Sequence, residues 1–337
     1  MVSASKLPRW RGFNLLSKFS VSWRRDTDAR FPEEDFRIMH EWGFDFARLP
    51  MDYRCWLKDG DPRKMDEAVL AEIDEAVDLG KRYGIHTCIN FHRAPGYTVA
   101  QPQEELSVWT DDEAREICAL HWRAFARRYA GIPNEEVSFN LFNEPARIGD
   151  HGFTPERYRE VVLILTDAIW SEDPERLVIC DGYMWGRIPL QELADLGVAQ
   201  STRAYEPHWI SHYKAHWVGA DKELPPPSWP GGPADEPDTH WDIDNLREYW
   251  RPWKELADSG VGVHCGEGGA YHALPHPTTL AWLDDALTVL EEYGIGWALW
   301  NLRGRFGVMD SGRSDVEYED FEGHKLDRKM LDVLQRH

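Results

Sequence analysis

The stretch VSFNLFNEPA, residues 137–146, decides how the chain is read. It is mostly apolar, as a buried strand is, and it ends in Asn143, Glu144 and Pro145. A strand that leaves a core into an acidic side chain, with proline barring further pairing, delivers a carboxylate to the carboxyl end of a sheet. That end is where α/β proteins keep their chemistry. VGVHCGEGG, residues 261–269, has the same form, with Glu267 at the strand end and two glycines after it. The fold matters chiefly for whether it brings Glu144 and Glu267 together.

Working outward, apolar runs of strand length recur at 10–14, 44–50, 85–92, 137–143, 177–182, 201–207, 261–267 and 295–301. Segments of helical period alternate with them at 33–42, 66–83, 111–129, 155–170, 190–196, 243–258 and 278–293, with a last one at 323–335. Gly43, Gly84, Gly260 and Gly294 stand as helix stops just before the next strand. Eight strand-then-helix units, with strands apolar on both faces, predict an α/β fold of the (β/α)8 barrel type over the whole of 1–337 rather than a doubly wound open sheet. The proline- and glycine-rich stretch 218–242 reads as an insertion in the enlarged loop after the sixth strand. It is either disordered or an ordered wall of the site carrying Trp229 and Trp241.

Lys and Arg number 38 against 59 Asp and Glu, a formal charge of −21 that repels nucleic acid and anionic lipid. A neutral partner meets no such barrier, and 17 tryptophans offer flat rings of the kind a sugar can lie on. No apolar run approaches the roughly 18 residues a membrane span needs. The five cysteines, without metal-type spacing, read as buried thiols of a reducing compartment. The first residues lack the apolar centre of a signal peptide, which predicts a cytoplasmic protein unless a leader has been removed.

In a barrel the strand ends converge on one mouth: Asn14, Arg48, His92, Asn143 with Glu144, Asp181, Tyr205, Glu267 and Trp300. Glu144 and Glu267 would face each other there. A pair of carboxyl groups, one donating a proton and one attacking or activating water, is what cleavage of a glycosidic bond requires. Arg48 can hold a neighbouring carboxylate ionised. His92 and Asn143 can donate to sugar hydroxyls, the Tyr205 hydroxyl can reach Glu267, and Trp300 offers a ring face.

On these residues the chain resembles glycoside hydrolase family 5, the cellulase-like barrel glycosidases. The resemblance runs from RGFN at Arg11 to WNLRGRFGVMDSGR at 300–313, nearly the whole chain. It implies Glu144 of NEP as acid/base, Glu267 as nucleophile, and Arg48, His92, Asn143 and Trp300 as supporting residues. The sixth strand departs from the family pattern, with Arg203-Ala204-Tyr205 where His-x-Tyr is usual. Tyr205 takes the tyrosine's place and the histidine has no match; His208, Trp209, Asn14 and Asp310 complete the candidate set.

The implied reaction is a retaining double displacement, without metal or cofactor, with carboxyl groups about 5–5.5 Å apart. Aromatic residues of the third and sixth loops suggest exo action on short β-linked gluco- or manno-configured substrates; the alternative is an endo-β-1,4-glucanase or mannanase. A metal-dependent barrel hydrolase using His92, His208, His212 and Glu267, and a non-catalytic sugar-binding barrel, are the rivals from other classes.

Overall fold

The computed structural model describes residues 2–22, 30–220 and 224–337. Eight parallel strands form its centre: β1 Arg11–Asn14, β2 Phe46–Asp52, β3 His86–Ala94, β4 Val137–Asn140, β5 Val178–Asp181, β6 Ala199–Ala204, β7 Val263–Gly268 and β8 Gly296–Leu299. Each pairs with the next, and β1 pairs with β8 through Gly12 and Ala298, closing the (β/α)8 barrel. Every residue of β2 to β8 is buried, as expected of strands with side chains on the interior and helices outside.

Among the described residues the helices longer than one turn are α1 Glu33–Glu41, α2 Glu67–Tyr83, α3 Asp112–Arg128, α4 Pro155–Trp170, α5 Ile243–Asp258, α6 His276–Glu292 and α7 Arg328–Arg336. Local chemistry fixes their ends. Asp66, Thr154 and Asp242 accept backbone N–H bonds at the starts of α2, α4 and α5. Gly43, Gly84, Gly260 and Gly294 all adopt the positive φ that a helix stop requires.

Two expectations are corrected. The helix expected at 190–196 is a single 3-10 turn, Gln191–Leu193, since Gly197 ends the segment. The helix expected from residue 323 begins at Arg328; Glu319–Phe321 and His324–Leu326 pair instead as an antiparallel hairpin turned by Gly323.

Residues 221–223 of the insertion lie outside the described residues, and the remainder is ordered over a helix. Trp229 is buried and its indole N–H donates to Asp285 of α6 at 2.8 Å. Gly231 and Trp241 form a bridge that leads into α5. Trp229 therefore covers α6 and Trp241 packs on the hydrophobic core, so neither forms the expected tryptophan wall of the site.

At the amino end of the barrel the interior is closed by aromatic rings. Trp10 stacks on His86 with centroids 3.7 Å apart, and Phe46 lies against both His86 and His264, at 5.5 and 4.3 Å. Burial, the main cause, pushes the pKa of each histidine down to about 3. Between the unfolded value near 6.5 and that of the folded state, the unfolded chain alone takes up these protons, so stability falls as pH falls. Each histidine contributes a slope of about 1.4 kcal/mol per pH unit. The urea midpoint is expected to drop between pH 6.5 and 4, and His264→Gln to flatten that decline; equal slopes in variant and parent would refute the assignment.

Candidate active site

Glu267 lies near the end of β7 and is 3% exposed. Its Oε1 accepts from Arg48 of β2 at 2.6 Å and its Oε2 from the Tyr205 hydroxyl at 3.1 Å. Burial, followed by the nearby carboxylates, pushes the Tyr205 phenol well above its usual range, so it remains a donor. Arg48 is fixed from three other sides. It donates to Asn14 Oδ1 at 2.9 Å, Asn140 Oδ1 at 3.0 Å and Asn143 Oδ1 at 2.9 Å.

Glu144 is held differently. The strand has ended at Asn140, and the chain turns so sharply that Glu144 adopts φ 52°, a left-handed conformation costing about 1–3 kcal/mol for a residue with a side chain. Polar contacts hold that turn. The Glu144 N–H donates to Asp181 Oδ2 at 2.9 Å, and its carbonyl accepts from the Tyr97 hydroxyl at 2.7 Å. The carbonyls of Pro145 and Ala146 accept from Trp185 and Met184, which themselves have positive φ.

The carboxyl group of Glu144 accepts one side-chain hydrogen bond, from Arg203 Nε at 2.9 Å. Burial chiefly, then the charge of Glu267, raises its pKa to about 7, against the opposing pull of Arg203. Glu144 is thus suited to hold a proton near neutral pH, as a general acid must.

The barrel brings together Glu144, Glu267, Arg48, Asn143, Tyr205 and Asn14. One guanidinium spans both acids: Arg203, 1% exposed, also approaches Glu267 Oε1 at 3.6 Å. His92 and Trp300 stack with centroids 5.4 Å apart, and Phe19 lies edge-on to both. Burial, then the flanking arginines, lowers the His92 pKa well below its usual value, and its Nδ1 is a buried atom with no protein partner. A neutral imidazole with a spare nitrogen can bond a hydroxyl.

The other candidates are engaged elsewhere. His208 stacks on His212 at 4.1 Å, and Trp209 packs on the hydrophobic core. Asp310 accepts from Lys325 N–H and faces His324, tying down the hairpin. Among the described residues no group of three or more His, Cys, Asp or Glu is placed to hold a metal ion.

A family model described as cellulase (glycosyl hydrolase family 5) matches residues 6–305. The chain belongs to glycosyl hydrolase family 5. Endoglucanase C of Acetivibrio thermocellus is 25% identical over 334 residues, which cover 91% of this chain and 95% of that protein. Cellodextrinase A of Ruminococcus flavefaciens is 25% identical, over 85% of this chain and 83% of its own. Among solved structures, one described as a glycoside hydrolase is 35% identical with TM-score 0.91, covering 97% of this chain and 99% of that one. A hyperthermophilic endo-β-1,4-glucanase solved with substrate, 21% identical with TM-score 0.78, shares the fold over the full length of both chains. This family 5 chain is therefore a glycoside hydrolase, and among its described residues no helix is long and apolar enough to cross a membrane.

The roles of several residues of the site were not legible in the sequence. Asn140 and Arg203 point into the barrel from within strands, where a buried amide or charge needs partners from other strands. That requirement was the available signal. Tyr97 acts through the backbone of Glu144, for which spacing holds no sign.

Proposed function

We propose that this glycoside hydrolase cleaves β-1,4-linked, gluco-configured oligosaccharides by double displacement with retention. Glu267 attacks the anomeric carbon while protonated Glu144 delivers its proton to the departing oxygen. The ionised Glu144 then takes a proton from water, which displaces Glu267 and frees the sugar. The observation that carries this is the unequal treatment of two acids sharing one guanidinium. Glu267 has two strong donors aimed at it; Glu144 is desolvated and raised to about 7. A guanidinium within 3.6 Å of both supports the close spacing, about 5–5.5 Å, of retaining enzymes.

The names of the full-length relatives, endoglucanase and cellodextrinase, support a β-glucan substrate, and the name endoglucanase favours cleavage within the chain over the exo action that the loop aromatics suggest. Proton NMR of the first product from a cello-oligosaccharide tests the stereochemistry: β-anomer expected, with α-anomer first refuting retention. Product lengths from a series of cello-oligosaccharides test the mode, since exo action yields one size from the start.

The substrate is expected to extend over Trp217, which is 51% exposed. Tyr271 supports it edge-on at 4.8 Å, and Phe306 links it towards Tyr205 through contacts of 6.2 and 6.1 Å. Loss of such a platform costs about 0.5–1.5 kcal/mol. Trp217→Ala should therefore raise KM roughly 2- to 10-fold for long oligosaccharides and leave an aryl glucoside unaffected. A KM for long oligosaccharides unchanged from the parent, or raised by the same factor as that for the aryl glucoside, would remove Trp217 from the binding surface.

A further inference from the structure

We propose that Arg203 and Asp181 form a buried ion pair that, as positioning residues, fixes by charge balance which form of Glu144 the resting site holds. The inference rests on the reading of Glu144 as acid/base. Asp181 is fully buried at the end of β5 and touches no open surface. It accepts from the Glu144 N–H at 2.9 Å, from Asn140 Nδ2 at 3.0 Å and from the Arg203 guanidinium. Arg203 in turn donates to Glu144 through Nε at 2.9 Å, to Asn143 Oδ1 at 3.1 Å and to Ser201 Oγ at 3.0 Å. The pair lies directly behind the acid/base, holding its backbone with one member and its carboxyl group with the other.

The neighbouring strand and turn leave room for this arginine. A Cβ on Gly186 would stand 2.6 Å from the Arg203 Cγ, and one on Gly266 3.0 Å from its Nη1. Side chains at either place would push the guanidinium from its seat. Gly266 directly precedes Glu267, so the nucleophile's strand is shaped around the charge that serves the opposite acid. Arg203 also occupies the sixth-strand position that sets this chain apart from the family pattern.

The charges then add up simply. Glu144 faces Glu267 from β7, Asp181 from β5, Arg203 and Tyr205 from β6, and Tyr97 from the segment after β3. Arg48 closes the group through Asn143, which it shares with Arg203. Three carboxylates against two guanidinium ions leave one negative charge in excess in a dry site, and a single proton cancels it. Glu144 has the fewest donors of the three and is the natural holder. Without Arg203 the excess becomes two, and without Asp181 it vanishes.

The test is a charge-balance cycle read by 13C NMR titration of the Glu144 carboxyl carbon, which needs no turnover, beside the pH profile of kcat/KM. Arg203→Gln should move the Glu144 midpoint up by about one pH unit or more, and Asp181→Asn should move it down by a similar amount. The double variant should return to within about half a unit of the parent, and Arg203→Lys should shift little. The basic limb of kcat/KM should follow the same order. Should Arg203→Gln fail to fold, Asp181→Asn and the double variant still carry the cycle. Single variants that leave the midpoint unmoved, or move it in one common direction, overturn the inference even in an active enzyme. If the midpoints shift as expected while no β-glycoside is hydrolysed, the charge balance stands and the functional reading falls.

Discussion

Replacing Glu267 with glutamine is expected to lower kcat on cello-oligosaccharides by roughly four to six orders of magnitude, the loss seen when a nucleophile is removed. The fold should persist. Arg48 keeps Asn14, Asn140 and Asn143 as acceptors, and the glutamine carbonyl can take the place of the lost oxygen. A melting temperature near that of the parent, together with the lost turnover, separates a chemical effect from a structural one. The smaller Glu267→Ala variant adds a stereochemical check, because azide can enter the space of the missing carboxylate. It then attacks once, from the nucleophile's side, and should give the α-glycosyl azide. Turnover within tenfold of the parent in Glu267→Gln would remove Glu267 from the nucleophile's place.

The second large effect is expected at Glu144, with a different signature. Glu144→Ala should cost about 10²- to 10⁴-fold in kcat on a natural oligosaccharide, the range general acid–base catalysis supplies. A dinitrophenyl glucoside needs no proton to depart. With it the first step should be spared, a burst of one equivalent should appear, and the glycosyl-enzyme should accumulate. Azide should speed its release and give the β-glycosyl azide, since two displacements restore the configuration. The parent's basic limb, expected near the raised pKa of about 7, should vanish with the side chain. A uniform loss on both substrates, with the limb intact, would assign the proton transfer to another group.

Much of the site could be read from the sequence because parallel barrel strands are buried on both faces and their ends are therefore abrupt. INFH and LFNEP pass from apolar residues to a polar one near the mouth, which made His92 and Glu144 visible, whereas Arg48, expected at a strand end, stands in the middle of β2, which runs on to Asp52. The pairing of β6 with β7 was also implied by order alone, and it sets Arg203 beside Glu267. What order could not show was the direction of a long side chain. Arg203 reaches across to the fourth strand's acid because Gly186 and Gly266 leave its path open, and that space exists only in three dimensions. Asp310 misled for the opposite reason: it lies within the closing motif at 300–313, yet a hairpin that the periodicity had merged into a helix claims its carboxyl group. Trp229 was drawn to α6 by its indole hydrogen bond, where composition suggested the mouth.

The two acids also differ in the kind of scaffold that carries them. Glu267 belongs to a barrel strand, standing opposite Arg203 of β6 just after a shift in register, while β8 pairs with the same strand at His264 and Cys265, so a change there is felt on both flanks. Glu144 belongs to an irregular turn pinned at a few points by Asp181, Tyr97 and the 184–185 backbone. On the roles proposed for the two acids, a descendant of this chain has room to exchange the loop residues beyond the turn while keeping the strand that carries Glu267. Novelty has room to accumulate on one side of the scissile bond, and ancestry is preserved on the other.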